Sequence, residues 1–206
     1  MIFNKEIDLK HEEILKYAIN KFGTYQKFMN NIINEWTYSE LMYDNINNND
    51  KNYIEMKELL LQELKSIVKD PYSYKLNKKT LFGLNNKFFS KEIRTTKIIH
   101  RAFLHDISLA KNIDSELDDL FDNFPQELSI DNYFILIYKL YKIYPFWNSL
   151  SLRVFTNIYL LQNEYLPFFP SLDIKSEYFD TFKYDFFRFK KQFSKLFLAN
   201  GEYFLR

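Results

Sequence analysis

The sequence predicts an all-α fold, and three observations carry the prediction. Only three of the 206 residues are Gly and five are Pro, which leaves few positions for tight turns. Apolar residues recur at intervals of three and four over most of the chain, the period of one helix face. The stretch that breaks this period is short. In "KEIRTTKIIHRAFLHD", Thr95, Thr96, Ile98 and Ile99 are β-branched and lack helical spacing, which predicts a short β-hairpin or extended flap. The expected architecture is a mainly helical bundle, one domain over residues 1–206, carrying that flap.

The first helix is expected from Asp8 to Phe22. Ile14, Ala18 and Phe22 share a face, and Gly23 stops the helix. Thr24 is the predicted N-cap of a second helix through about Tyr43, with Phe28, Ile32 and Trp36 inward and Met42 after a half-turn drift. The Asn-rich "DNINNND" interrupts the pattern. A third helix, about 51–69, carries Ile54, Leu60, Leu61, Leu64 and Val68 and ends at Asp70-Pro71. These helices form an N-terminal portion, residues 1–70. A fourth helix is expected from Lys78 to Phe89.

After the flap, "NIDSELDDLFDNF" predicts a short helix with Ile113, Leu117, Leu120 and Phe121 on one face and its acids on a solvated one. Ser129 caps "IDNYFILIYKLYKIY", apolar on almost all sides, which places it at the centre of a bundle. "RVFTNIYLLQNEY" is a second central helix, ended by "LPFFP". The core portion thus spans about 78–167. A last helix, about 173–198, carries a stripe of Phe179, Phe182, Phe186, Phe189, Phe193 and Phe197, read as core packing.

Composition excludes several function classes. Lys plus Arg number 28 and Asp plus Glu 27, so there is no electrostatic case for nucleic acid or an anionic membrane. There is no Cys, hence no disulfide, thiolate chemistry or Cys-based zinc site. His11, His100 and His105 are too few and scattered for a metal site. No apolar run reaches the ~18 residues of a membrane span, and the N-terminus lacks the features of a signal peptide. The expected location is cytoplasmic. The 22 Phe and 16 Tyr, with many Lys, Asn and Ile, reflect an AT-rich coding bias.

Between the two central helices lies "IYPFWNSLSLRVF". Pro145 forces the preceding helix to end at Tyr144, and the N–H groups opening the next helix face this turn, a natural anion site. This helix-turn-helix resembles the Fic/Doc family of nucleotidyl transferases, whose signature is H-P-F-x-[D/E]-G-N-G-R-x-x-R. Here it reads Tyr144-Pro145-Phe146-Trp147-Asn148-Ser149-Leu150-Ser151-Leu152-Arg153. Upstream, "KEIRTTKII", "HRAFLHD" and "IDSELDDLF" are similar to the family's G-x-I-R-T segment, flap and E-L-x-x-L helix. Downstream, "RVFTNIYLLQNEYLP" is similar to R-x-F-x-N-x-L-L-x-x-x-G-Y-P. The likeness covers about residues 78–167. More weakly, "YSELMYDNIN" is similar to the inhibitory-helix motif S-x-x-x-E-G-N, with Ser39 in place and Tyr43 where the Glu belongs.

The resemblance implies a protein adenylyltransferase (AMPylator) fold, also called the Fido fold, and a site whose chemistry has decayed. Tyr144 stands where the family has its general-base His; a phenol of pKa near 10 is a poor base at pH 7. Asn148 replaces the acidic Mg²⁺ ligand. Ser149, Leu150 and Ser151 replace the glycines of the anion loop. Without a gap the first signature Arg becomes Leu152. A two-residue deletion aligns Arg153 with the second one, which makes it either the surviving phosphate ligand or a surface Arg on the first helical turn. The family's inhibitory Glu pairs with that Arg and blocks productive ATP binding; its loss at Tyr43 would accompany the loss of the enzyme.

Three functions follow as expectations. The first is a catalytically impaired Fic-like protein, a pseudoenzyme, that binds a target protein by strand addition to the flap at Thr95, Thr96, Ile98 and Ile99, with no cofactor. The second is a divergent active transferase that modifies a target protein hydroxyl with AMP or another phosphate-linked group, using ATP and Mg²⁺, with His100 or His105 as base. The third is a structural or dimerisation role for the helical domain.

Overall fold

The computed structural model describes residues 2–43, 53–89, 113–125, 129–143 and 149–205. Among these residues every regular element is helical: α1 (Ile2–Phe22), α2 (Tyr25–Tyr43), α3 (Tyr53–Lys69), α4 (Lys78–Phe89), α5 (Ile113–Asp122), α6 (Ile130–Ile143), α7 (Ser149–Gln162), α8 (Lys175–Thr181) and α9 (Phe186–Tyr203). The expected flap, residues 95–104, lies outside the described residues.

Capping chemistry places several of the boundaries. Gly23 takes φ +80°, a left-handed conformation that costs Gly little, and its N–H returns to Ile19. Thr24 Oγ1 then accepts from Lys27 N at 3.2 Å. Asn77 and Ser129 cap α4 and α6 in the same way, accepting from Thr80 N at 2.9 Å and Asn132 N at 3.2 Å. The first helix begins six residues before the expected Asp8. Its apolar face extends back to Ile7, which is buried with Ile14 and Ala18.

Helix α7 is the axis of the molecule. Every residue from Leu150 to Leu161 is buried. It packs against α2, α3, α4 and α6, so no face of it meets water. α1 lies on α9, and Gly201 lets them approach: a Cβ there would stand 3.1 Å from the Lys10 side chain. α2 lies on α3. One apolar core runs through all of these elements, from Ile7 to Phe204.

The structure corrects two sequence expectations. Ile54, expected inward on α3, is 70% exposed; Leu60, Leu64, Ile67 and Val68 are buried, and a residue six before Leu60 lies about 120° round a 3.6-residue helix from it, off the buried face. The C-terminal helix, expected unbroken over 173–198, is two helices. Asp185 (φ −61°, ψ 164°) starts α9 and accepts from Arg188 N. The Phe stripe nevertheless continues across the break. Phe182, Phe189 and Phe193 are fully buried, and Phe179, Phe186 and Phe197 pack against the same core. Spacing of four from Phe182 to Phe186 conceals the change of helix.

Between α7 and α8 the chain runs without regular structure, yet Leu166, Phe168, Phe169 and Pro170 are buried. Buried backbone needs partners, and two side chains supply them. Asn157 of α7 donates Nδ2 to Phe168 O at 3.0 Å and accepts from Phe168 N at 2.7 Å. Asn200 of α9 accepts from Phe169 N at 3.3 Å and donates to Pro167 O at 3.4 Å. The segment is thus pinned from both sides. α7 ends in a Schellman arrangement, with Tyr165 N donating to Leu160 O and Glu164 N to Leu161 O. Glu164 takes the left-handed conformation at φ 61°.

Candidate functional site

α7 carries the residue on which the site turns. Arg153 is 2% exposed, neither a surface Arg nor a guanidinium presented to solvent. Its Nε donates to Glu40 Oε2 at 2.5 Å, and its Nη2 donates to the Glu40 carbonyl at 3.3 Å. Glu40 is 1% exposed. Its other carboxylate oxygen, Oε1, accepts from Trp36 Nε1 at 2.9 Å. A guanidinium and a carboxylate so deeply buried hold their charges only because each has the other and further hydrogen bonds.

Aromatic rings close the pair off. The Tyr43 ring lies under the Arg153 guanidinium at 4.9 Å, a cation–π contact. Lys175 Nζ also faces that ring, at 5.5 Å. Tyr178 stands edge-on to Tyr43 at 5.9 Å and shares a 2.8 Å hydroxyl hydrogen bond with Tyr141. Burial pushes the Tyr43 hydroxyl above its ordinary pKa, and the nearby Arg153 charge offsets this only in part. Burial likewise raises Tyr178 well above the usual phenol range. These phenols are neutral hydrogen-bonding groups at pH 7, not bases.

The pinned segment after α7 fixes α2 over the pair. Ser39 Oγ donates to Pro170 O at 3.3 Å, and Tyr43 Oη donates to Ser171 O at 3.2 Å. Of the two residues singled out from the sequence as an inhibitory-helix remnant, Tyr43 therefore lies against Arg153, while Ser39 is held on the segment at Pro170. Ser151 is buried on α7 and reaches Asn85 of α4 at 3.5 Å; Ser149 begins α7. Tyr144 and Asn148 lie outside the described residues, as do Thr95, Thr96, Ile98, Ile99, His100 and His105. His11 is on α1, its ring 4.9 Å from that of Tyr165, and burial lowers its pKa.

Sequence reasoning missed Glu40 and took the carboxylate of this helix as lost. The signal was present. Phe28, Ile32 and Trp36 are buried at intervals of four on α2, and Glu40 is the next position in that row. An acid on an apolar row needs a buried partner, and in this chain the partner is 113 residues away.

Among the described residues no group of three or more His, Asp and Glu is placed to hold a metal, and no helix is long and apolar enough to cross a membrane. Comparison with protein-family models, with curated proteins and with solved structures finds no match to this chain.

Proposed function

We propose that the protein is a Fic-like helical protein that acts by binding a partner rather than by transferring a nucleotide. The observation that supports this reading is the state of Arg153. It is the one basic side chain in the stretch from Pro145 to Val154, and its guanidinium is buried against Glu40. An arginine spent on an internal carboxylate presents no charge to a phosphate. The Fic resemblance itself draws support from the same contact, since that family's inhibitory helix places a Glu on the corresponding Arg. Here the carboxylate comes from Glu40, three residues before the position expected from the motif. Glu164 adds to the likeness. It precedes Tyr165 with a positive φ, where the family pattern has Gly.

A second reading rests on the same pair. A carboxylate that still covers the arginine has a purpose if there is an activity to restrain. In this reading the chain is a divergent transferase held off by Glu40, with ATP and Mg²⁺ entering once the pair opens. Calorimetric titration with ATP and Mg²⁺ separates the two. Wild type and Glu40→Gln should both show no magnesium-dependent binding, because Asn148 and the loop without glycine provide neither a hard-cation ligand nor an anion cradle. Micromolar binding by folded Glu40→Gln would replace the first reading with the second.

The partner is proposed to dock on the flap, residues 95–104. Main-chain pairing with an extended segment does not require the altered signature side chains. Ile98→Pro removes one backbone donor. It should abolish capture of the partner in a pull-down while circular dichroism stays at the wild-type level. Retention of every partner by the folded variant favours the structural or dimerisation role instead.

A further inference from the structure

A cavity adjoins the cover of the buried pair and shares Ser39, Pro170 and Ser171 with it. The exposed side of α2, the C-terminal end of α9 and the segment 169–174 enclose a cavity of about 570 Å³, within the size range of small-molecule sites. Its apolar surface comes from Phe169, Pro170 and Leu172 and from the rings of Tyr38 and Tyr203. Tyr38, Leu172 and Tyr203 are each more than 40% exposed, which is unusual for three large side chains around one opening. The charges are one-sided. Glu35 and Asp173 line the cavity, and among the described residues no Lys, Arg or His does.

Both carboxylates are held in place. Tyr203 Oη donates to Glu35 Oε2 at 2.7 Å, which joins α9 to α2 across the opening and fixes the carboxylate beside an aromatic ring. Ser171 and the backbone amides of Asp173 and Ile174 hold the Asp173 carboxyl below its usual range, so it is ionised at neutral pH. An apolar floor, two tyrosine rings and two fixed negative charges form the complement of one ligand type. A protonated nitrogen is attracted both by carboxylates and by ring faces, while an apolar body fills the remaining volume. An anion would meet two carboxylates and, among the described residues, no cationic side chain.

We infer that this cavity binds a small organic cation, a protonated primary amine on an aromatic or apolar body. The inference is independent of the Fic resemblance and of the state of Arg153.

Tryptamine, its neutral analogue tryptophol and the anion indole-3-acetate form a probe series with one ring system and three charges. Titrations of the full chain, followed by amide chemical shifts, should show tryptamine binding, tryptophol binding roughly tenfold more weakly and indole-3-acetate not at all. The Glu35→Gln/Asp173→Asn double variant, altered only at exposed positions, should lose roughly tenfold in tryptamine affinity and leave tryptophol unchanged. Ala199→Trp, at an exposed lining position, should weaken tryptamine and tryptophol binding alike by occupying part of the space, with the circular dichroism of the wild type. The inference is overturned if none of the probes binds at millimolar concentration, if indole-3-acetate binds as well as tryptamine, or if the double variant keeps wild-type tryptamine affinity. Equal or tighter binding of acetyl-Gly-Lys-Gly-amide would also overturn it, by reassigning the cavity to a basic protein segment.

Discussion

Glu40→Ala loses about 3–5 kcal/mol of folding stability, the usual cost of removing one partner from a buried ion pair. In a chain of this size that lowers the melting temperature by about 2–4 °C per kcal/mol. The cost arises from what remains. Arg153 cannot shed its proton, so a guanidinium buried at 2% exposure keeps its charge without the carboxylate that faces it, and Trp36 Nε1 loses its acceptor. Arg153→Met is the milder change, because a stranded Glu40 can escape by protonation. Its folded pKa then rises above the unfolded value near 4.3. The added stability is fully present below about pH 4.3 and is lost as the pH rises through the raised folded value. Arg153→Met should therefore gain stability on acidification, whereas Glu40→Ala should not. Glu40→Gln/Arg153→Met keeps an acceptor for Trp36 and leaves no buried charge, so it should recover most of either loss. Urea denaturation of the four proteins at pH 7 and pH 4.5 measures the set. A loss below about 1 kcal/mol for Glu40→Ala would mean that the pair is solvated, as surface pairs are, and the burial argument would fail.

The Glu40–Arg153 contact also shows what the sequence reveals of this molecule. Elements whose ends have local chemistry were readable: Gly23, Thr24 and Ser129 act within four residues of themselves, and the helix boundaries beside them lie where the capping residues place them. Apolar spacing identified the two central helices, α6 and α7, because a helix buried all round needs no knowledge of its neighbours. It failed where two elements share a phase. The Phe stripe passes from Phe182 to Phe186 in helical register while the backbone turns at Lys183–Asp185, and only the N-cap Asp185 marked the break. It also failed for Ile54, whose apolar character alone suggested burial. At the site, Arg153 and Tyr43 were picked out by resemblance to a motif, but the partner of Arg153 was not. The pairing joins α2 to α7 across more than half the chain, and sequence distance carries no record of it. The acid in the Phe28-Ile32-Trp36 row could be located from periodicity; its arginine could not.

The other large effect is expected at Asn157, which acts on the site through the backbone. Its side-chain amide satisfies both the N–H and the C=O of Phe168 at 2.7 and 3.0 Å in a buried environment. Asn157→Leu, of similar size, removes both partners and fills the space with carbon. Each orphaned backbone group costs about 1–3 kcal/mol, so the variant should lose roughly 2–6 kcal/mol. Asn200→Leu should lose less, since its two bonds to the same segment are longer, at 3.3 and 3.4 Å. The effect should not stop at stability. The Pro170 and Ser171 carbonyls receive the hydroxyls of Ser39 and Tyr43, and Tyr43 lies against the Arg153 guanidinium. Loosening the segment at Phe168 therefore loosens the lid of the buried pair. Hydrogen exchange on Asn157→Leu, under conditions where it is still folded, should show faster exchange at residues 165–171 and at the C-terminal turn of α2, with α5 unchanged. Faster exchange spread evenly over all helices would mean that Asn157 contributes only to global stability. Protection of the α2 turn at the wild-type level would show that the 165–171 segment does not hold Tyr43 in place, and that α2 is held by its packing on α1, α3 and α7.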